Sequence, residues 1–153
     1  MKTLLRMISL CALLVVSLLN GCSSNDNAPN TTAAVGASLY QQLGGSEGVT
    51  RLANQFGANI ASNPTLNQIL DSVVIGQIQN GFTNDVMKAS GMAPGGMETL
   101  SSALTGKGLN ETHVTALSNS LREAGASLGL NPSVMSTVAS SIVEPAARSA
   151  AGM

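Results

Sequence analysis

His113 is the only histidine in the 153-residue chain. Histidine is the side chain best suited to proton transfer or metal ligation near neutral pH. It lies in the stretch GKGLNETHVTAL, residues 106–117. The partners that such chemistry needs are missing around it. A single histidine excludes a multi-histidine metal site. Both cysteines, Cys11 and Cys22, fall near the N-terminus, so a Cys–His nucleophile pair is not expected. The 8 acidic residues are scattered, and no pair has the spacing of an acid–base couple. TGKG, residues 105–108, lacks the earlier glycine and the following Ser or Thr of a phosphate loop. Methionine sulfur is another donor able to ligate iron, and Met87, Met92 and Met97 lie close together in sequence. In an aliphatic core, methionine more often fills gaps. These readings predict a protein without catalytic turnover.

Different chemistry is written at the N-terminus. Lys2 and Arg6 precede the apolar stretch MISLCALLVVSLL, which is too short for a comfortable membrane span. It runs into LLNGC, Leu18 to Cys22. This resembles the lipobox of bacterial lipoproteins, with Leu19 at −3, Gly21 at −1 and Cys22 as the lipidated residue. Asn20 at −2 departs from the small residue usual there. The resemblance implies a signal peptide over 1–21, acylation of Cys22 and a firm membrane anchor. Ser23 rather than Asp after the cysteine implies the outer membrane of a Gram-negative cell, with the domain facing the periplasm. The alternative is a plain secretory leader with an incidental Cys22. With Cys11 removed and Cys22 acylated, no disulfide is expected despite an oxidising compartment.

Residues 23–37, SSNDNAPNTTAAVGA, are small and polar and read as a tether. Cys22 and this stretch form a linker, 22–37, before a domain over 38–153. The chain is 44% hydrophobic but only 2% aromatic, so its core must come from Leu, Val, Ile, Ala and Met. The formal net charge is −1 and no Lys/Arg run occurs, which argues against a nucleic-acid partner.

The domain reads as all-α, with about six helices, no strand alternation and no internal repeat. SLYQQLGG is a short helical turn stopped by Gly44 and Gly45. Ser46 is expected to cap the next helix, with Glu47 in its first turn and a stripe of Val49, Leu52, Ala53, Phe56 and Ile60. Asn63–Pro64 breaks it and starts a short helix. Ile75, Ile78, Phe82 and Val86 mark the next stripe, followed by a Gly/Pro loop over 91–96. METLSSAL is another short helix, ended by Gly106 and Gly108. Asn110 caps a long helix carrying Val114, Leu117, Leu121 and Leu128, with Gly129 just past its end. Asn131 caps the last helix, Pro132 takes its first position, and Val134, Val138 and Ile142 form its buried face. Pro145 should kink or end it. Gly48, Gly57, Gly76 and Gly81 fall inside helices, where close packing would offset their cost.

The order of these elements resembles the group I truncated haemoglobins. The likeness rests on SLYQQLGGSEGVTRLANQFGANIASNPTL, on QNGF at 79–82 and on GKGLNETHVTAL. It runs from about Ser38 to Ala147. It implies a two-over-two helical sandwich, a haem cofactor, and a distal pocket that includes Phe56, Gly57, Gln79 and Phe82. Tyr40 matches the family's opening tyrosine.

Two departures follow from the same resemblance. The proximal histidine normally stands about two residues before the Gly–basic–Gly turn, here Gly106–Lys107–Gly108. That position holds Leu104, and a leucine has no lone pair for iron. The family often has a tyrosine after the Phe of the second helix, where this chain has Gly57, expected to leave a hole and no hydrogen-bond donor. Gln79 remains as a distal donor. His113 matches a frequent family histidine beyond the proximal turn and is expected to face solvent near the Asn110 cap. Met97 and His113 are the alternative axial ligands. Three expectations follow: a truncated-haemoglobin-like lipoprotein with a degenerate haem site, used for binding, sensing or structure; a haem protein that binds oxygen or nitric oxide through a non-standard ligand; and a helical scaffold lipoprotein that binds an envelope protein.

Overall fold

A pair of left-handed glycines sets the entry to the first long helix. Gly44 and Gly45 have φ of 89° and 68°, and they separate a helical turn at 39–42 from α1, Gly45–Ser62. Side chains rarely adopt that backbone, so glycine suits both positions. The computed structural model describes residues 39–92 and 98–153; the leader, Cys22, the tether and Met97 lie outside the described residues. Ser46 is not the cap of α1. The helix begins at Gly45, and Gly44 holds the cap position without a side-chain bond. The Ser46 carbonyl instead accepts from the Thr50 hydroxyl.

The apolar stripe of α1 is buried as its spacing predicts, with Val49, Leu52, Phe56 and Ile60 wholly inaccessible. Asn63 ends the helix, and its side-chain oxygen accepts from the Thr65 and Leu66 amides. The segment after it forms successive turns over 64–69 in place of the expected short helix. Those turns put Leu66 and Leu70 into the core.

Asp71 caps α2, Ser72–Ala89, by accepting from the Val73 and Val74 amides. The buried face of α2 is Val74, Ile78, Phe82 and Val86, an unbroken run at i+4 spacing. Ile75 is only partly buried, because Val74 rather than Ile75 falls on that run. Thr99 and Ser102 form a reciprocal capping box on α3, Leu100–Leu104.

α4 is Glu111–Ser127, capped by Asn110 as expected. Gly129, at φ 70°, follows its end. Leu128 remains 38% exposed, because the stripe passes instead through Leu121, Ala124 and Gly125. α5, Pro132–Val138, starts at the Asn131 cap with Pro132 in its first turn. Met135 is buried more fully than Val134, and its sulfur would lie 2.5 Å from a Cβ placed at Gly125.

Pro145 does not end the helical path. A π-helical turn, Ala139–Val143, joins α5 to α6, Glu144–Ala151. Proline has no N–H and crowds the carbonyl four residues back, here Ser141, and a wider turn accommodates both demands.

Every described regular element is therefore helical, with no strand among the described residues. α1 packs on α2 and α4, α2 on α3, α3 on α6, and α4 on the α5–α6 arm. Each fully buried Leu, Ile or Phe contributes about 1.5–3 kcal/mol through area removed from water. No described helix is long and apolar enough to cross a membrane.

Candidate functional site

The residues singled out for a haem pocket meet at the α1–α2 interface. Phe56 and Phe82 are both 0% exposed, and their ring centroids are 5.6 Å apart at 60°, a tilted aromatic pair. Leu104 is also fully buried. Gly57 leaves no hole, because the Gln79 side chain lies across it. A Cβ at Gly57 would stand 2.1 Å from Gln79 Nε2 and 2.9 Å from its Cγ. Gln79 Nε2 in turn donates to the Asn54 carbonyl at 3.5 Å. The expected distal donor thus reaches back onto the α1 backbone.

His113 is half-buried rather than fully solvent-facing, for a local reason. It occupies the third position of α4 in a capping box. The Asn110 side-chain oxygen accepts from the His113 amide, and His113 Nδ1 accepts from the Asn110 amide, each at 3.1 Å. Nδ1 can accept only as the neutral ring with its proton on Nε2. The ring takes the part a Glu or Gln plays in the usual box. Met92 is 46% exposed and Met87 half-buried. Among the described residues, no group of three or more His, Cys, Asp or Glu is placed to hold a metal ion. Neither Leu104 nor the engaged Nδ1 of His113 offers iron a lone pair.

A polar cleft of about 400 Å³ opens beside this core. Thr50, Ala53 and Asn54 of α1 line one side, Gln79, Thr83 and Asn84 of α2 the other, and Glu98 contributes from the segment before α3. Asn80 also lines it. α2 fixes the Glu98 end through three contacts with the segment leading into α3. Asn84 Nδ2 donates to the Glu98 carbonyl at 2.9 Å. Asp85 Oδ2 accepts from the Leu100 amide at 2.9 Å. Gly81 lets the backbones approach, since a Cβ there would stand 2.6 Å from Leu100 N. Burial raises the Asp85 carboxyl above its ordinary value of 3.8, while the Leu100 N–H and the charge of Lys88 oppose the rise.

A second groove of about 480 Å³ is lined by Asn63 and by Glu111, Thr115, Asn119 and Glu123 of α4. At the α4–α6 contact, Glu144 accepts from the buried Ser118 hydroxyl at 3.1 Å and from Arg122 at 3.4 Å. Arg148 pairs with Glu111 nearby. Ser120 is buried, and its hydroxyl has no partner among the described residues.

The cleft residues other than Gln79 escaped sequence reasoning. Asn54, Asn80, Asn84 and Thr83 look like ordinary solvated helix positions, and only the pairing of α1 with α2 gathers them. The one local hint is that Asn80 and Asn84 stand one turn apart on the same helix face. The chain matches no protein-family model, no curated protein and no solved structure.

Proposed function

We propose that this chain is a truncated-globin-like, two-over-two helical domain that has lost haem chemistry and serves as a binding module. It is carried at the outer membrane by acylated Cys22, faces the periplasm and turns over no substrate. The observation that supports the reading most is a fully buried Leu104 at the position where the resemblance puts the proximal ligand. A porphyrin held between Gln79 of α2 and residue 104 of α3 would find no proximal donor there. The element order, the Gly106–Lys107–Gly108 turn and the LLNGC segment support the family likeness and the anchor. The capping box supports the structural assignment of His113, since its Nδ1 is already engaged.

Thermal unfolding of a chain beginning at Ser23, with and without equimolar hemin, tests the reading. A ligand that binds only the native state raises Tm by mass action. The expected result is an unchanged Tm. A saturable rise that is lost in Met97→Ala or His113→Ala would replace this reading with a haem protein using a non-standard axial ligand.

A further inference from the structure

We propose that the α1–α2 cleft binds a small organic ammonium compound rich in N–H and O–H donors, of the size of an amino sugar or a short polyamine. This deepens the binding reading above, but it uses no part of the haem argument. The reason lies in how the lining side chains use their hydrogen bonds. Thr50 Oγ1 donates to the Ser46 carbonyl and Thr83 Oγ1 to the Gln79 carbonyl, both at 2.9 Å. Gln79 Nε2 donates to the Asn54 carbonyl, and Asn84 Nδ2 to the Glu98 carbonyl. Four lining side chains from two helices therefore spend a donor on backbone.

What they keep is mostly acceptor capacity. The two hydroxyl oxygens retain lone pairs, and Gln79 Oε1 and Asn84 Oδ1 make no bond to the described protein. The Glu98 carboxylate adds a negative charge, and there is no lysine or arginine among the described lining residues. Lys88, one turn beyond Asn84, lies beside Asp85. The Asn54 and Asn80 amides offer N–H donors as well as oxygens, but the Glu98 carboxylate disfavours an anion, and Ala53 is the one apolar side chain among the described lining residues. An ammonium group with neighbouring hydroxyl or amine donors complements the surface, and the cleft volume of about 400 Å³ falls in the range of small-molecule sites.

The test is amide chemical-shift mapping on the full-length ¹⁵N-labelled chain in detergent micelles. Glucosamine and spermidine are the probes. N-acetylglucosamine and glucose have the same sugar ring as glucosamine without its ammonium. The proposal expects saturable shifts centred on Asn54, Asn80 and Thr83, in the millimolar range, with at least one amine. Glucosamine alone would identify a sugar amine, and spermidine alone a polyamine; either supports the proposal. Glu98→Gln should weaken binding about five-fold, the scale of one exposed charge contact. That variant keeps the Asn84 bond, which goes to the backbone carbonyl of residue 98. Equal shifts with the neutral sugars, shifts unaffected by Glu98→Gln, or no saturable shift with either amine would overturn the proposal. The hemin experiment fails or succeeds independently of all of these.

Discussion

Gly48, Gly57, Gly76 and Gly81, like Gly125 of α4, sit inside helices, where each costs about 1 kcal/mol relative to alanine. A Cβ would meet different surroundings at each. At Gly48 it would stand 1.8 Å from the Leu43 carbonyl oxygen, and at Gly81 2.6 Å from backbone atoms of Thr99 and Leu100. Backbone cannot step aside cheaply, so Gly48→Ala and Gly81→Ala should each destabilise by about 2–3 kcal/mol despite the gain in helix propensity. At Gly57 the obstacle is the Gln79 side chain, which can swing away. Gly57→Ala should cost about 1 kcal/mol or less, with the contact to the Asn54 carbonyl lost. At Gly76 nothing lies within 4 Å, and Gly76→Ala should stabilise by about 0.5–1 kcal/mol. Urea denaturation of the four variants checks this order. The sequence alone offers close packing as a reason for all four glycines; for Gly76 the structure supplies no packing reason.

Asp85 belongs to the same scale. Its carboxyl is raised above 3.8, so the folded chain binds that proton more tightly than the unfolded one. The stability linked to it is complete below about pH 3.8 and is lost as pH rises through the folded value. Asp85→Asn removes that term while leaving an oxygen for the Leu100 amide. Wild type should therefore gain stability relative to Asp85→Asn as pH falls from 7 towards 3.5, in urea titrations run across that span. Asp85→Ala leaves the Leu100 amide without its acceptor and should cost about 1–3 kcal/mol.

Among the elements, those announced by short-range rules were legible in the sequence. Asn110 and Asn131 are caps, Pro132 opens α5, Gly129 follows α4, and the α1 stripe is buried as its spacing dictates. Capping depends on residues within one turn, which a sequence displays directly. The misread starts and faces have local causes too. Gly44 rather than Ser46 precedes α1 because the glycine pair already turns the chain. Pro145 sits inside a continuous helical arm because a π turn absorbs its missing bond. The α4 cap gives the clearest prediction at this scale. Asn110→Ala should cost about 1 kcal/mol. His113→Gln, which can also accept from the Asn110 amide, should stay closer to wild type than His113→Ala in thermal unfolding.

For the whole molecule, the sequence reveals the helical class but not how helices pair. Gln79 over Gly57, Asp85 on Leu100, and the polar cleft all join residues far apart in the chain, and periodicity contains no information about such partners. The same limit explains Gly57: its place beside Phe56 was plain, while the side chain that fills its space comes from another helix. Placing a histidine at residue 104 should not by itself create a haem site. Leu104→His places a polar ring in a fully buried position and should destabilise by about 2–4 kcal/mol. A hemin titration of Leu104→His should show no saturable band at one equivalent.

The most direct test of the central claim is an absorption titration of the chain from Ser23 with hemin. A closed core without an iron ligand predicts a broad band like that of hemin on a nonspecific carrier, with no break at one equivalent. A sharp Soret band that saturates at one equivalent, with a defined high- or low-spin pattern, would contradict it.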